Sequence, residues 1–196
     1  MKARHLENLW QGETVVCIAS GPSLTKEDCE LVRKSGFKVI VTNNTFQMYP
    51  HANILYAYDA KWWLNYLDET RKFKGLKVTH NPTVYSDVIS LNEQVWFEPY
   101  GNSGSAAISL AINMGAKNII LLGYECSKTN NKSHWHNDHP EDKGLSNCKS
   151  IDRWPKQFEQ VANHAKHKQV NIINCSRNTA LKCFKLGELS HALTAN

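Results

Sequence analysis

The segment Thr14-Val-Val-Cys-Ile-Ala-Ser20, closed by Gly21-Pro22, constrains this chain more than any other. A short run that is apolar without alternation has no face to give to water, so it reads as a strand in a sheet covered on both sides. Similar runs recur at Lys38 to Thr42, Asn53 to Tyr58, Asn118 to Leu122 and Val170 to Asn174, with weaker strand patterns at Leu76 to Thr79 and Gln94 to Glu98. Helical patterns lie between them. Leu24 to Ser35 carries Leu24, Leu31 and Val32 among charges, with Thr25 as an N-cap and Gly36 as a stop. A Trp-rich stretch spans Lys61 to Thr70, and Ser105 to Met114 is small and apolar almost all round, hence a buried helix. Trp154, Phe158, Val161, Ala162 and Ala165 repeat at helical spacing. Strands alternating with helices predict an α/β domain of three layers with a mostly parallel sheet, whose ligands bind beyond the carboxyl ends of the strands. Polar residues gather at those ends: Asn43, Asn44 and Thr45 after the second run and Asp59 after the third.

A chain of 196 residues, 41% hydrophobic and 21% charged, suits one globular domain over 1–196 and excludes a disordered or fibrous protein. The net charge of +5 comes from scattered Lys and Arg, which favours anionic ligands in general and does not indicate nucleic acid. No apolar run approaches the roughly 18 residues of a membrane span, and the first residues lack a signal-peptide core, so a cytoplasmic location is expected. Cys17, Cys29, Cys126, Cys148, Cys175 and Cys183 form no C-x-x-C pair and read as reduced thiols.

Two Gly/Ser turns stand out. Ser20-Gly-Pro-Ser23 follows the first strand and precedes a helix, where Gly21 permits close backbone approach and the helix amides can meet a phosphate. It is neither G-x-G-x-x-G nor a P-loop, and a plain strand-to-helix turn reads equally well. Gly101-Asn-Ser-Gly-Ser105 opens the buried helix, so Ser103 and Gly104 can share a nucleotide with the first turn. Asn44 and Asp59 suit a base or ribose, or cap their own turns. A long polar loop at about 125–150 holds His134, His136 and His139 with Asp138, Glu141 and Asp142. Its spacing matches no usual zinc site, so no metal is expected there; a general base near neutral pH is the functional reading and solvated histidines the alternative.

The order of five blocks resembles a known family. They are Val16-Cys-Ile-Ala-Ser-Gly-Pro-Ser-Leu24, Val41-Thr-Asn-Asn-Thr-Phe46, Leu55-Tyr-Ala-Tyr-Asp59, Asn102-Ser-Gly-Ser-Ala-Ala-Ile-Ser-Leu-Ala-Ile-Asn-Met-Gly115 and Ile119-Ile-Leu-Leu-Gly-Tyr-Glu125. Together with the Ser133 to His139 block and Ile172 to Leu181, they are similar to the bacterial lipooligosaccharide sialyltransferases. They also resemble the related flagellin glycosyltransferases and 6-hydroxymethylpterin pyrophosphokinase-like proteins, over about residues 14–185. The resemblance implies a modified Rossmann-like fold that binds a cytidine nucleotide, with Ser20, Gly21, Asn44, Asp59, Ser103 and Gly104 touching it. It implies a loop histidine as base, with His139 the first choice and His136 the second. The sialyltransferases transfer without metal, whereas the pyrophosphokinase relatives use magnesium with a nucleoside triphosphate. This chain departs from the sialyltransferase pattern in a shorter lid, in Glu125 where the family has Asp, and in lacking the tyrosines that assist the departing phosphate.

The resulting expectation is a transferase that takes a nucleotide-activated sugar as donor. Ser20, Gly21, Pro22, Ser23, Asn44, Asp59, Ser103, Gly104 and Glu125 would line the nucleotide site, with no tightly bound cofactor. One alternative is a magnesium-dependent pyrophosphokinase or phosphotransferase with Asp59 and Glu125 on the ion. Another is a nonenzymatic nucleotide-binding or sequestering protein. Neither the acceptor nor the oligomeric state is legible in the sequence.

Overall fold

The computed structural model describes residues 1–129, 132–136, 138–145 and 151–194. Eight strands form one open, wholly parallel sheet: β1 (Thr14–Ile18), β2 (Lys38–Thr42), β3 (Ile54–Tyr56), β4 (Leu76–Thr79), β5 (Val88–Ser90), β6 (Asn118–Leu122), β7 (Asn171–Asn174) and β8 (Lys185–Leu186). Their order is β5-β4-β3-β2-β1-β6-β7-β8. The chain therefore builds outward from β1 in one direction, then returns to its other side through β6. That reversal opens a crevice at the carboxyl ends of β1 and β6.

The apolar run in β1 does what its lack of alternation demands. Val15 and Cys17 point into one core cluster and Val16 and Ile18 into the other, all four fully buried. Each such side chain contributes about 1.5–3 kcal/mol over leaving it in water. The first cluster is closed by α4 (Ser103–Asn113) and α5 (Trp154–His167), through Ala107, Leu110 and Ala111 against Phe158, Val161 and Ala165. The second is closed by α1 (Lys26–Ser35), α2 (Thr45–Met48), α3 (Ala60–Tyr66) and α6 (Leu189–Ala192). The fold is α/β and Rossmann-like, with helices on both faces of the sheet.

Local signals explain most boundaries. Thr25 caps α1 by accepting from Asp28 N, Asp28 returns a bond to Thr25 N–H, and Gly36 ends the helix at φ 73°. Asn102 caps α4 by accepting from Ser105 N, so that helix starts at Ser103 rather than Ser105. The Trp-rich helix ends at Tyr66 and continues as a turn of 3₁₀ helix over Glu69–Lys72. Gln94 to Glu98 is not a strand: Gln94 N–H bonds Leu91 O and Phe97 N–H bonds Gln94 O in successive turns, and Val95 lies fully in solvent. The fifth strand is Val88–Ser90 instead. The two-residue β8 is exposed and carries no apolar pattern that could announce it. Cys17 and Cys29 are buried free thiols, Cys175 and Cys183 are half-buried ones, and Cys148 lies outside the described residues. Among the described residues no helix is long and apolar enough to cross a membrane.

Candidate functional site

Two adjoining cavities occupy the crevice. One is lined by Ser20, Gly21 and Pro22 after β1, Asn43 after β2, Ser103 and Gly104 at the start of α4, and Tyr124 and Cys126 after β6. The other, about 310 Å³, is lined by Tyr58, Asp59 and Trp62 with His134, His136 and His139 of the loop. That volume falls within the usual range for small-molecule pockets. Ser20, Asn43, Asn102, Ser103, His134 and Trp154 line both.

The turn after β1 needs glycine for a reason internal to the protein. Gly21 N–H donates to Gly123 O at 2.9 Å, and a Cβ on Gly21 would lie 2.4 Å from that oxygen and 1.4 Å from Glu125 Oε2. Glu125 is fully buried behind the turn, where Ser23 Oγ donates to its Oε1. Burial pushes its carboxyl above the usual range, against the opposing pull of the Ser23 bond. At the start of α1 the Asp28 amide is engaged by the Thr25 hydroxyl, and Glu27 and Asp28 place acidic side chains in the first turn. Arg177 locks this end. It donates to both carboxylate oxygens of Asp28, at 2.7 and 2.9 Å, and to Ser23 O at 2.8 Å. Of the two helix starts, α1 carries carboxylates in its first turn that disfavour an anion, and α4 carries none.

Hydrogen-bond direction defines the seam between the cavities. Tyr58 N–H donates to Ser103 Oγ at 3.0 Å, and Ser103 passes its one proton to Asn43 Oδ1 at 3.0 Å. The Asn43 carbonyl is thereby committed, and its amide NH₂ remains to donate toward a ligand. Asn44 has a different use. It is 5% exposed, accepts from Trp62 Nε1 at 2.7 Å and lines neither cavity. Asn43, at φ 49°, turns the chain so that consecutive asparagines face opposite ways. The Asn-Asn pair after a strand signals a turn, but only the packed structure separates the two roles.

The histidine loop lies over the second cavity and is tied down from both sides. Trp135 N–H donates to Ser20 O, and Trp135 and Leu145 pack against the second core cluster. His134, His136 and His139 gather with ring centroids 4.9–6.1 Å apart. Burial, reinforced by the neighbouring imidazoles, lowers His134 to about 4; burial, His136 and the Lys143 ammonium lower His139 to about 4. Both rings are neutral near pH 7. Tyr66 Oη lies 2.8 Å from His139 Nδ1, and Trp62 stacks on Tyr66.

Of the residues singled out in the sequence, Ser20, Gly21, Pro22, Asp59, Ser103, Gly104, His136 and His139 line the cavities. Asn44, Ser23 and Glu125 do not; they support the walls. Asp59 makes no side-chain cap to α3. Asn43, Tyr58 and Asn102 are additional lining residues, and Trp154, legible only as a helix position, joins both cavities. Glu125 faces away from the cavity that holds Asp59, which does not suit a magnesium ion shared by the two carboxylates. No described group of three His, Cys, Asp or Glu side chains is arranged to hold a metal.

No family model matches the sequence, and no curated protein matches it. Among solved structures, the fold is similar to the sialyltransferase CstII from Campylobacter jejuni in complex with cytidine-5'-monophosphate. That match has a TM-score of 0.60 and 14% identity, over 95% of this chain and 88% of the other. A UDP-glucose 4-epimerase from Brucella ovis, in complex with NAD, has a TM-score of 0.32 and 11% identity, over 82% of this chain and 50% of the other.

Proposed function

We propose that this chain is a nucleotide-dependent transferase, and specifically a glycosyltransferase that takes a sugar activated by a cytidine nucleotide. The observation that carries this reading is the convergence on one crevice of donor groups and loop imidazoles. The Asn43 amide and the start of α4 offer hydrogen bonds to an acceptor-rich, anionic ligand beside Ser20, whose hydroxyl pairs with Thr45, and His136 and His139 stand over the adjoining cavity. The likeness in fold to a sialyltransferase holding cytidine-5'-monophosphate supports the choice of nucleotide.

The reaction is a displacement at the anomeric carbon. A loop imidazole takes the proton of the acceptor hydroxyl, and the nucleotide departs with the electron pair of the broken bond. Donor and acceptor brought together in the two adjoining cavities would react with the advantage of proximity. Asp59, on the wall of the second cavity, accepts hydrogen bonds from sugar or ribose hydroxyls.

Thermal unfolding with CMP, CMP-sugars and UDP, each with and without magnesium, tests this. A ligand at 100 times its Kd adds about 2.7 kcal/mol, which for a chain of this size raises Tm by roughly 5–10 °C. CMP and CMP-sugars should shift Tm independently of magnesium, and a CMP-sugar should release CMP. A shift only with magnesium and a nucleoside triphosphate favours pyrophosphoryl transfer. Tight CMP binding without turnover of any CMP-sugar favours a binding protein.

A further inference from the structure

The first cavity is lined by groups of two kinds. The turn at Ser20 to Pro22, Asn43 and the start of α4 are polar, whereas Tyr124, Phe158 and Trp154 are aromatic. Two of these rings are spent on the core: Tyr124 and Phe158 are each 2% exposed and pack edge to face, with centroids 5.8 Å apart and planes at 82°. Trp154 is different. It is half-buried, packs against the first core cluster without being enclosed by it, and lines both cavities. Among the described residues it is the one tryptophan, tyrosine or phenylalanine that does so. Its backbone is also rigid, because it begins the fourteen-residue α5 and is followed by Pro155, whose ring fixes φ for the first turn. Phe158, one helical turn on, anchors that end of the helix in the core. Charge gives a second observation. No described lysine or arginine lines either cavity, so a nucleotide held here draws its affinity from hydrogen bonds and from contacts to its base, not from ion pairs with its phosphate.

Resting on the cytidine-nucleotide reading above, we propose that Trp154 is the stacking platform for the base of the nucleotide, which lies in the first cavity while the activated sugar lies in the second. The base is the flat, π-faced part of such a ligand, and ribose, phosphate and sugar are covered in oxygens. An indole face with one side on the core and the other on the cavity suits the base and none of the rest. The sizes and linings of the cavities agree. The first, about 100 Å³, is the smaller and carries the aromatic side chains; the second, about 310 Å³, carries Asp59 and the loop histidines, which suit hydroxyl groups. Asn43 and Ser103 line both, so the phosphate between base and sugar meets the Asn43 amide and the start of α4. Every base presents a π face, so the platform contributes affinity and leaves the choice of base to groups along its edge.

Calorimetry with CMP and ligand-observed NMR with ribose 5-phosphate test the platform in wild type, Trp154→Leu and Trp154→Phe. Trp154→Leu should weaken CMP by about 5- to 150-fold, the range expected for loss of one base stack. Ribose 5-phosphate has no base, and its affinity should stay within about twofold of wild type. Trp154→Phe keeps a ring on the same backbone and should recover most of the CMP affinity. Fluorescence supplies a readout that a merely structural role would not move. A base stacked on an indole quenches its emission, so saturating CMP should quench wild type and quench Trp154→Phe far less, although Trp62 still lines the second cavity. Wild-type CMP affinity in Trp154→Leu, or an undiminished quench in Trp154→Phe, overturns the platform and leaves the transferase reading standing. Ribose 5-phosphate weakened as much as CMP also overturns it, because Trp154 then acts on the phosphate, the sugar or the fold instead of the base. A wild-type protein that binds neither CMP nor any other nucleotide overturns the transferase reading and the platform together.

Discussion

Asn43→Asp is the sharpest probe of the seam between the cavities. Ser103 donates to Asn43 Oδ1, and an aspartate keeps that acceptor in place, so the relay from Tyr58 through Ser103 survives. Aspartate also tolerates the positive φ at this position, so the fold should be little affected. What changes is the outward face, where two amide donors become a carboxylate oxygen. Losing a hydrogen bond to a charged ligand costs about 1.5–3 kcal/mol, or roughly 10- to 150-fold in Kd. The carboxylate adds repulsion: two unit charges 4 Å apart cost about 4 kcal/mol at an effective dielectric of 20, less here because Asn43 is half-exposed. Asn43→Ala should therefore weaken CMP by about 10- to 100-fold and Asn43→Asp by about 10³-fold, measured by calorimetry at fixed salt. Asn43→Asp binding within about threefold of wild type, under 1 kcal/mol, would refute the donor assignment.

The neighbouring positions have different signatures. Asn44→Ala leaves the Trp62 indole N–H without its buried acceptor, so it should cost about 1–3 kcal/mol in urea unfolding while CMP affinity moves far less. Arg177→Met removes three hydrogen bonds from the start of α1; with Arg177 itself half-exposed, a loss of about 2 kcal/mol is expected at pH 7. Burial raises the Asp28 carboxyl, but the bonds from Arg177 and Thr25 outweigh it, so its net shift is downward. Asp28 therefore stabilises the fold above its unfolded pKa, and the gap between wild type and Arg177→Met should shrink as pH falls through the acid range. Glu125 has the opposite sign: its raised folded-state pKa means stability is lost as pH rises through that value. Glu125→Gln should thus gain on wild type as pH rises above the ordinary carboxylate range in parallel melts, and a difference that does not change with pH there would contradict the assignment.

Strand-level information is strongly local. Val15 to Ala19 lacks a polar face, and no partner is needed to conclude that such a segment is covered on both sides. The capping box at Thr25 and Asp28, the stop at Gly36 and the all-round apolar α4 are likewise written within a few residues of where they act. From these features the α/β class and the helix-covered, mostly parallel sheet followed. Other features depend on distances in space that spacing along the chain does not encode. Gly21 must be glycine because Glu125, about a hundred residues later, packs beneath it; Asn43 and Asn44 divide their roles because Ser103 meets one and Trp62 the other. The short β8 has pairing and no pattern, and the turns at 92–97 carry a strand-like composition that local hydrogen bonds override. His136 and His139 are chemically identical in the sequence. Only the fold brings Tyr66 to one of them, through a hydrogen bond between residues 73 positions apart.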